Sequence, residues 1–169
     1  MKKFAAALLC LLMTHGLFSP QQQRAFALPD YKKVFFNLYV DKSATEAQAK
    51  AFAEAADSKT GKCYVCHVNV KTLDEKKLKS KSVRNNYGKA ITQFITKDEF
   101  KKMKKADKEK AMSALREAIE KAGALKSDPS DSGSPTFDEL IASGKLPSNG
   151  EPDAEDLENA KAARDAKAQ

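Results

Sequence analysis

The sequence predicts an all-α domain, and three observations carry that prediction. Apolar residues recur at helical spacing from Tyr31 to Ala122. No proline falls between Pro29 and Pro129, so no ring geometry breaks a helix over that stretch. Nothing alternates with period two for long enough to make a sheet.

The elements follow in order. Tyr31, Phe35, Leu38 and Tyr39 fall at i, i+4, i+7 and i+8, one face of a first helix. Ser43 with Glu46 reads as a capping box for an Ala-rich helix through Ala56, with Phe52 on the buried side and Gly61 as the stop. Tyr87, Ile91, Phe94 and Ile95 repeat the face spacing. Thr96 with Glu99 forms a second box ahead of Phe100 and Met103, with a break expected at Lys104–Lys105. Met112, Leu115, Ile119 and Ala122 line a further helix that Gly123 can close. Thr136 with Glu139 caps a short helix near 136–144, bearing Phe137, Leu140 and Ile141 and closed by Gly144 and Pro147. One apolar face this small cannot fold alone, so it is expected to dock on the core. After Gly150 the chain is rich in alanine and charge, with Leu157 its only large apolar residue, and reads as a mobile helix.

Length and charge divide the chain. Its 169 residues suit one domain with appendages rather than a multi-domain enzyme. Lys2 and Lys3 precede an apolar run, Phe4 to Leu12, that is too short to span a bilayer. Ala25-Phe26-Ala27 then offers the small residues of a signal-peptidase site, so residues 1–27 are expected to be removed on export to the periplasm or beyond. From Leu28 to Lys126 there are 23 basic and 13 acidic residues; from Ser127 to Gln169 there are 4 basic and 10 acidic. The change falls at SDPSDSGSP, a linker composition. The expected organisation is a signal segment at 1–27, a basic helical domain at 28–126 and a flexible acidic tail at 127–169.

Cysteine and histidine usage narrows the chemistry. Three cysteines cannot build a disulfide-dense scaffold, and His15 and His67 exclude a site made of several histidines. Loss of the signal segment removes Cys10 and His15. What remains is Cys63-Tyr64-Val65-Cys66-His67, the c-type haem attachment pattern. Two thiols at this spacing can each bond one haem vinyl group, and the adjacent imidazole can ligate the iron. The rivals are weaker. A thioredoxin-like pair belongs to a βαβ setting that is not found here. Zinc needs four well-spaced ligands, and these three residues do not readily surround one tetrahedral ion. The mature domain holds only five phenylalanines, four tyrosines and no tryptophan, so a porphyrin would add apolar bulk to a small core.

With CxxCH at Cys63, Cys66 and His67, and Arg84-Asn85-Asn86-Tyr87-Gly88 after it, the chain resembles the small exported bacterial mono-haem c-type cytochromes. The resemblance covers about Leu28 to Ala122, and CxxCH is its specific part. It implies a cytochrome c-like helical domain around one covalent haem c. It also implies a carrier of single electrons rather than an enzyme. His67 would be the proximal iron ligand. Arg84 and Tyr87 are suited to hydrogen-bond a haem propionate; their plainer reading is a surface cation and a core aromatic. The family commonly supplies a downstream methionine as sixth ligand. Here the choices are Met103 and Met112, 36 and 45 residues after His67, with Met103 the better placed. Both sit at helix-periodic positions, where methionine is more often core filler. An open sixth position would make the chain a haem-based sensor or gas-binding protein instead.

Lys71, Lys76, Lys77, Lys79, Lys81, Arg84 and Lys89 form a basic run after the motif. It reads either as a solvated face or as a surface that steers an acidic redox partner. Without interleaved aromatics the run does not suggest nucleic acid.

Overall fold

A computed structural model of the chain describes residues 29–40, 46–58, 61–68, 83–148 and 154–165. The signal segment, Ser43 and the lysines from Lys71 to Lys81 lie outside the described residues. The described helices are α1 (Pro29–Tyr39), α2 (Ala47–Asp57), α3 (Gly61–Tyr64), α4 (Asn86–Phe94), α5 (Lys97–Ala106), α6 (Lys108–Gly123), α7 (Phe137–Ala142) and α8 (Ala154–Asp165). No strand occurs among the described residues, in keeping with the all-α expectation. The only pairings outside helices there are isolated antiparallel bridges, His67 with Arg84 and Lys126 with Thr136.

Helix α6 is the centre of the packing. It buries Ala111, Leu115, Ala118, Ile119 and Ala122 and meets α1, α4, α5 and α7. The alanines on that face let neighbouring backbones come close, while Leu115 and Ile119 fill the space between them. Phe35 of α1 anchors an aromatic cluster: its ring lies 5.8 Å from Tyr87 and 6.1 Å from Phe52. Tyr87 in turn lies 5.0 Å from Phe137. Edge-on pairs like these add about 0.5–1.5 kcal/mol each beyond the burial of the rings.

Both threonine boxes form as expected. Thr96 caps α5 with Glu99, and Thr136 caps α7 with Glu139, each reciprocated by the glutamate side chain. Other boundaries differ from the sequence expectation. Helix α2 has Glu46 as its N-cap with no side-chain cap bond, so no capping box opens it there. It ends at Asp57, and Gly61 does not stop it but begins α3. Gly61 lies so close to the Ala55 carbonyl that any Cβ would overlap it. The break expected at Lys104–Lys105 falls at Asp107, whose carboxylate accepts the Lys110 N–H at 2.9 Å and starts α6. Phe94, expected on the buried face of α4, is 42% exposed, while Ile95 beside it is buried.

The expected linker is a folded loop. Ser127 N–H donates to the Pro135 carbonyl (2.9 Å), and the Ser134 hydroxyl donates to the Asp128 carbonyl (3.0 Å). The loop delivers Phe137 and Ile141 into the same core as Phe35 and Leu115. Helix α7 therefore shares its apolar face with α1 and α6. Helix α8 rests Leu157 on a second, smaller cluster made of Val68 and Val83. No described helix is long and apolar enough to cross a membrane.

Candidate functional site

Cys63 lies in α3, and Val65 and Cys66 complete the turn that leads out of it to His67. The turn is closed by Val65 N–H on the Gly61 carbonyl (3.2 Å) and by His67 N–H on the Cys63 carbonyl (3.1 Å). Cys63, Cys66 and His67 are therefore held on one helical turn. The two thiols are not bridged to each other; Cys63 is exposed and Cys66 partly so. Burial pushes the Cys66 thiol up to about 12, against a smaller lowering by Arg84. A CxxC nucleophile works through a depressed pKa. Cys66 has the opposite, so in a redox pair it could act only as the resolving thiol behind the exposed Cys63.

Segment 83–88 braces this turn. Asn85 is fully buried, and its amide nitrogen lies 2.7 Å from the Tyr64 carbonyl, 3.2 Å from that of Val65 and 3.3 Å from that of His67. Its side-chain oxygen accepts Gly88 N–H at 2.9 Å, capping α4. Its backbone N–H donates to the Cys66 carbonyl at 3.2 Å. One asparagine thus satisfies the carbonyls left over where α3 ends and joins them to the start of α4. Gly88 faces the same Cys66 carbonyl with no room for a Cβ. Asn85 was not singled out from the sequence, although it sits inside the Arg-Asn-x-Tyr-Gly stretch.

His67 is buried, and its Nδ1 lies 3.1 Å from the Val83 carbonyl. A carbonyl can only accept, so Nδ1 carries the proton and the neutral ring has its lone pair on Nε2. Metal-binding histidines are commonly oriented in this way by a backbone carbonyl.

Arg84 is half-buried, coupled electrostatically to Tyr31 and Cys66, and desolvation lowers its pKa. No carboxylate pairs with it among the described residues. Tyr31 meets Phe100 edge-on at 5.5 Å, and burial raises its hydroxyl to about 12. The structure thus adds Tyr31 to the neighbourhood of Arg84 and Cys66. Sequence periodicity had marked it only as a core-facing residue. Tyr87 has the plainer of its two expected roles. It is fully buried between Phe35 and Phe137, with its hydroxyl donated to the Ile119 carbonyl at 3.4 Å. That donor points into the core.

Met103 is half-buried and lines a cavity of about 300 Å³ with Phe94, Ile95, Glu99, Ala114 and Ala118. A second cavity, of about 620 Å³, lies between Tyr39, Phe52 and Ile141. Cys63, Cys66 and His67 line neither. Met112 packs against the main core. Among the described residues no group of three or more His, Cys, Asp or Glu side chains could hold a metal ion. The turn nevertheless offers two thiols that are not bridged to each other and one oriented imidazole, with Arg84, which no carboxylate pairs among the described residues, beside them. Comparison with known family models, curated proteins and solved structures finds no match to this chain.

Proposed function

We propose that the chain is an exported mono-haem c-type cytochrome that passes single electrons between partner proteins. The observation that carries this reading is the CxxCH turn, with the His67 Nδ1 proton committed to the Val83 carbonyl. Cys63 and Cys66 would hold the haem as thioethers, and His67 would ligate the iron through Nε2. When bound, the haem supplies reversible one-electron chemistry. The chain's own residues do the rest. Asn85 keeps the turn in shape, Val83 fixes the imidazole plane, and Arg84 offers a positive charge to an acidic group of the cofactor. The basic domain supplies the charge that steers an acidic partner.

A second reading, a haem-based sensor or gas-binding protein, is favoured by the placement of the methionines. Met103 and Met112 both pack as core residues, and nothing described brings either to His67. Expression of the full chain in a host with haem-maturation machinery tests the main reading. The purified protein should be red and keep its haem through acid–acetone extraction. A colourless product with Cys63 and Cys66 both titrating as thiols would overturn it. Rapid carbon monoxide binding to the reduced protein, unchanged by Met103→Ala or Met112→Ala, would select the sensor reading.

A further inference from the structure

Helix α5 gathers lysines on its outer side. Asp98, Lys101, Lys102 and Lys105 fall at i, i+3, i+4 and i+7 and are all exposed, while Phe100 is fully buried. Lys108 and Lys110 carry the exposed charge on into the first turn of α6. Residues 97–110 hold seven lysines against four acids, Asp98, Glu99, Asp107 and Glu109. Two of those acids serve as helix caps: Glu99 accepts the Thr96 N–H, and Asp107 accepts the Lys110 N–H. Lys104 is paired with Asp30 at 2.7 Å. No ion pair reaches Lys101, Lys102 or Lys105 among the described residues. The Lys97 ammonium is lowered first by desolvation and then by the charge of Lys101, a crowding of like charges that an incoming carboxylate relieves.

The residues beneath the stripe tie it to the site. Phe100 meets Tyr31 edge-on at 5.5 Å, and Tyr31 is coupled electrostatically to Cys66 and Arg84. Phe100, Tyr31 and Cys66 thus lead from under the lysines to the CxxCH turn. We infer that Lys101, Lys102 and Lys105, with Lys108 beside them, form the docking surface for a partner protein that presents a cluster of carboxylates. Steering of this kind works when one sign of charge is gathered on one face instead of being spread over the molecule. A partner docked there stands over Phe100 and Tyr31, so packed rings join it to the turn. The inference rests on the cytochrome reading for the partner being a redox protein, but not for the binding itself.

The test uses the full chain with poly-glutamate as the acidic probe. Lys101→Glu, Lys102→Glu and Lys105→Glu combined should weaken binding about tenfold or more at low ionic strength. Lys50→Glu, Lys126→Glu and Lys145→Glu combined make the same change in net charge at exposed positions on other elements. That control should weaken binding less than about threefold. In the wild-type chain, poly-glutamate should slow amide hydrogen exchange across 97–108 more than across α2 or α7. Equal losses in the two triple variants would show attraction by net charge alone and overturn the inference. Slowing confined to other elements would overturn it as well, with no variant needed. Vesicles containing phosphatidylglycerol that bind more tightly than poly-glutamate, through the same three lysines, would replace the protein partner with a membrane surface. Haem plays no part in these readouts, so a colourless chain that still binds through α5 overturns the cytochrome reading alone.

Discussion

The Val83 carbonyl is shared: it accepts the His67 Nδ1 proton at 3.1 Å and the Val68 backbone N–H at 3.4 Å. Both lone pairs of that oxygen are used to set one imidazole and the backbone of the next residue. The orientation of His67 is therefore built from backbone, and substitution at position 83 perturbs it only through packing. In haem-free protein, nitrogen NMR of His67 near pH 8 should show the Nδ1–H tautomer. A dominant Nε2–H signal would contradict the arrangement.

Asn85 makes a sharper prediction. Asn85→Ala strips the donor from the carbonyls of Tyr64, Val65 and His67 and removes the α4 cap, leaving buried acceptors without partners. The expected loss is roughly 2–4 kcal/mol in urea unfolding. A loss below about 0.5 kcal/mol would show that water replaces the amide without cost.

The thiols should be distinguishable before any haem is attached. With the Cys66 thiol raised to about 12 by burial, only ~1 in 10,000 is thiolate at pH 8. Iodoacetamide should label exposed Cys63 first, with Cys66 labelling accelerating as pH climbs toward 12. Equal labelling rates at pH 8 would refute the burial of Cys66.

The helices were legible because their apolar faces repeat within a few residues, as in Phe35 and Tyr39 or Leu115 and Ile119. CxxCH was legible because its three groups are adjacent. Asn85 was not, since its partners lie 18 to 21 residues away and one asparagine makes no pattern. Phe94 shows the limit of periodicity: Tyr87, Ile91 and Ile95 take the buried side, and a fourth apolar position falls at its edge. The Ser/Pro/Gly composition of 127–135 suggested a linker, yet turn-forming residues also build ordered loops when Ser134 and Asp128 bond each other's segment. Leu157 carried no signal of where it docks.

Docking of α7 is testable through Tyr39, whose hydroxyl donates to Asp138 Oδ1 at 2.9 Å across 99 residues of chain. Tyr39→Phe should cost about 1 kcal/mol. Phe137→Ala, which empties the space against Tyr87, should cost about 3–5 kcal/mol. Similar small losses for both in thermal unfolding would mean that α7 adds little to the core.

Acid should loosen the same helix. The Glu139 carboxylate is held below its usual value of 4.5, first by the Thr136 backbone N–H and then by the Thr136 hydroxyl. Its contribution is complete above the unfolded value and is lost as pH falls through the lower folded one. Glu139→Gln keeps an acceptor but cannot titrate. Its melting temperature should therefore fall less than that of wild type between pH 5 and 3, as read by circular dichroism. Identical pH profiles would remove Glu139 from the acid response.

The antiparallel contact between residues 67–68 and 83–85 ties CxxCH to Arg-Asn-x-Tyr-Gly through main-chain groups, Val68 N–H on the Val83 carbonyl and Asn85 N–H on the Cys66 carbonyl. Each motif is thus the other's backbone partner, and relatives of this chain would carry the two together.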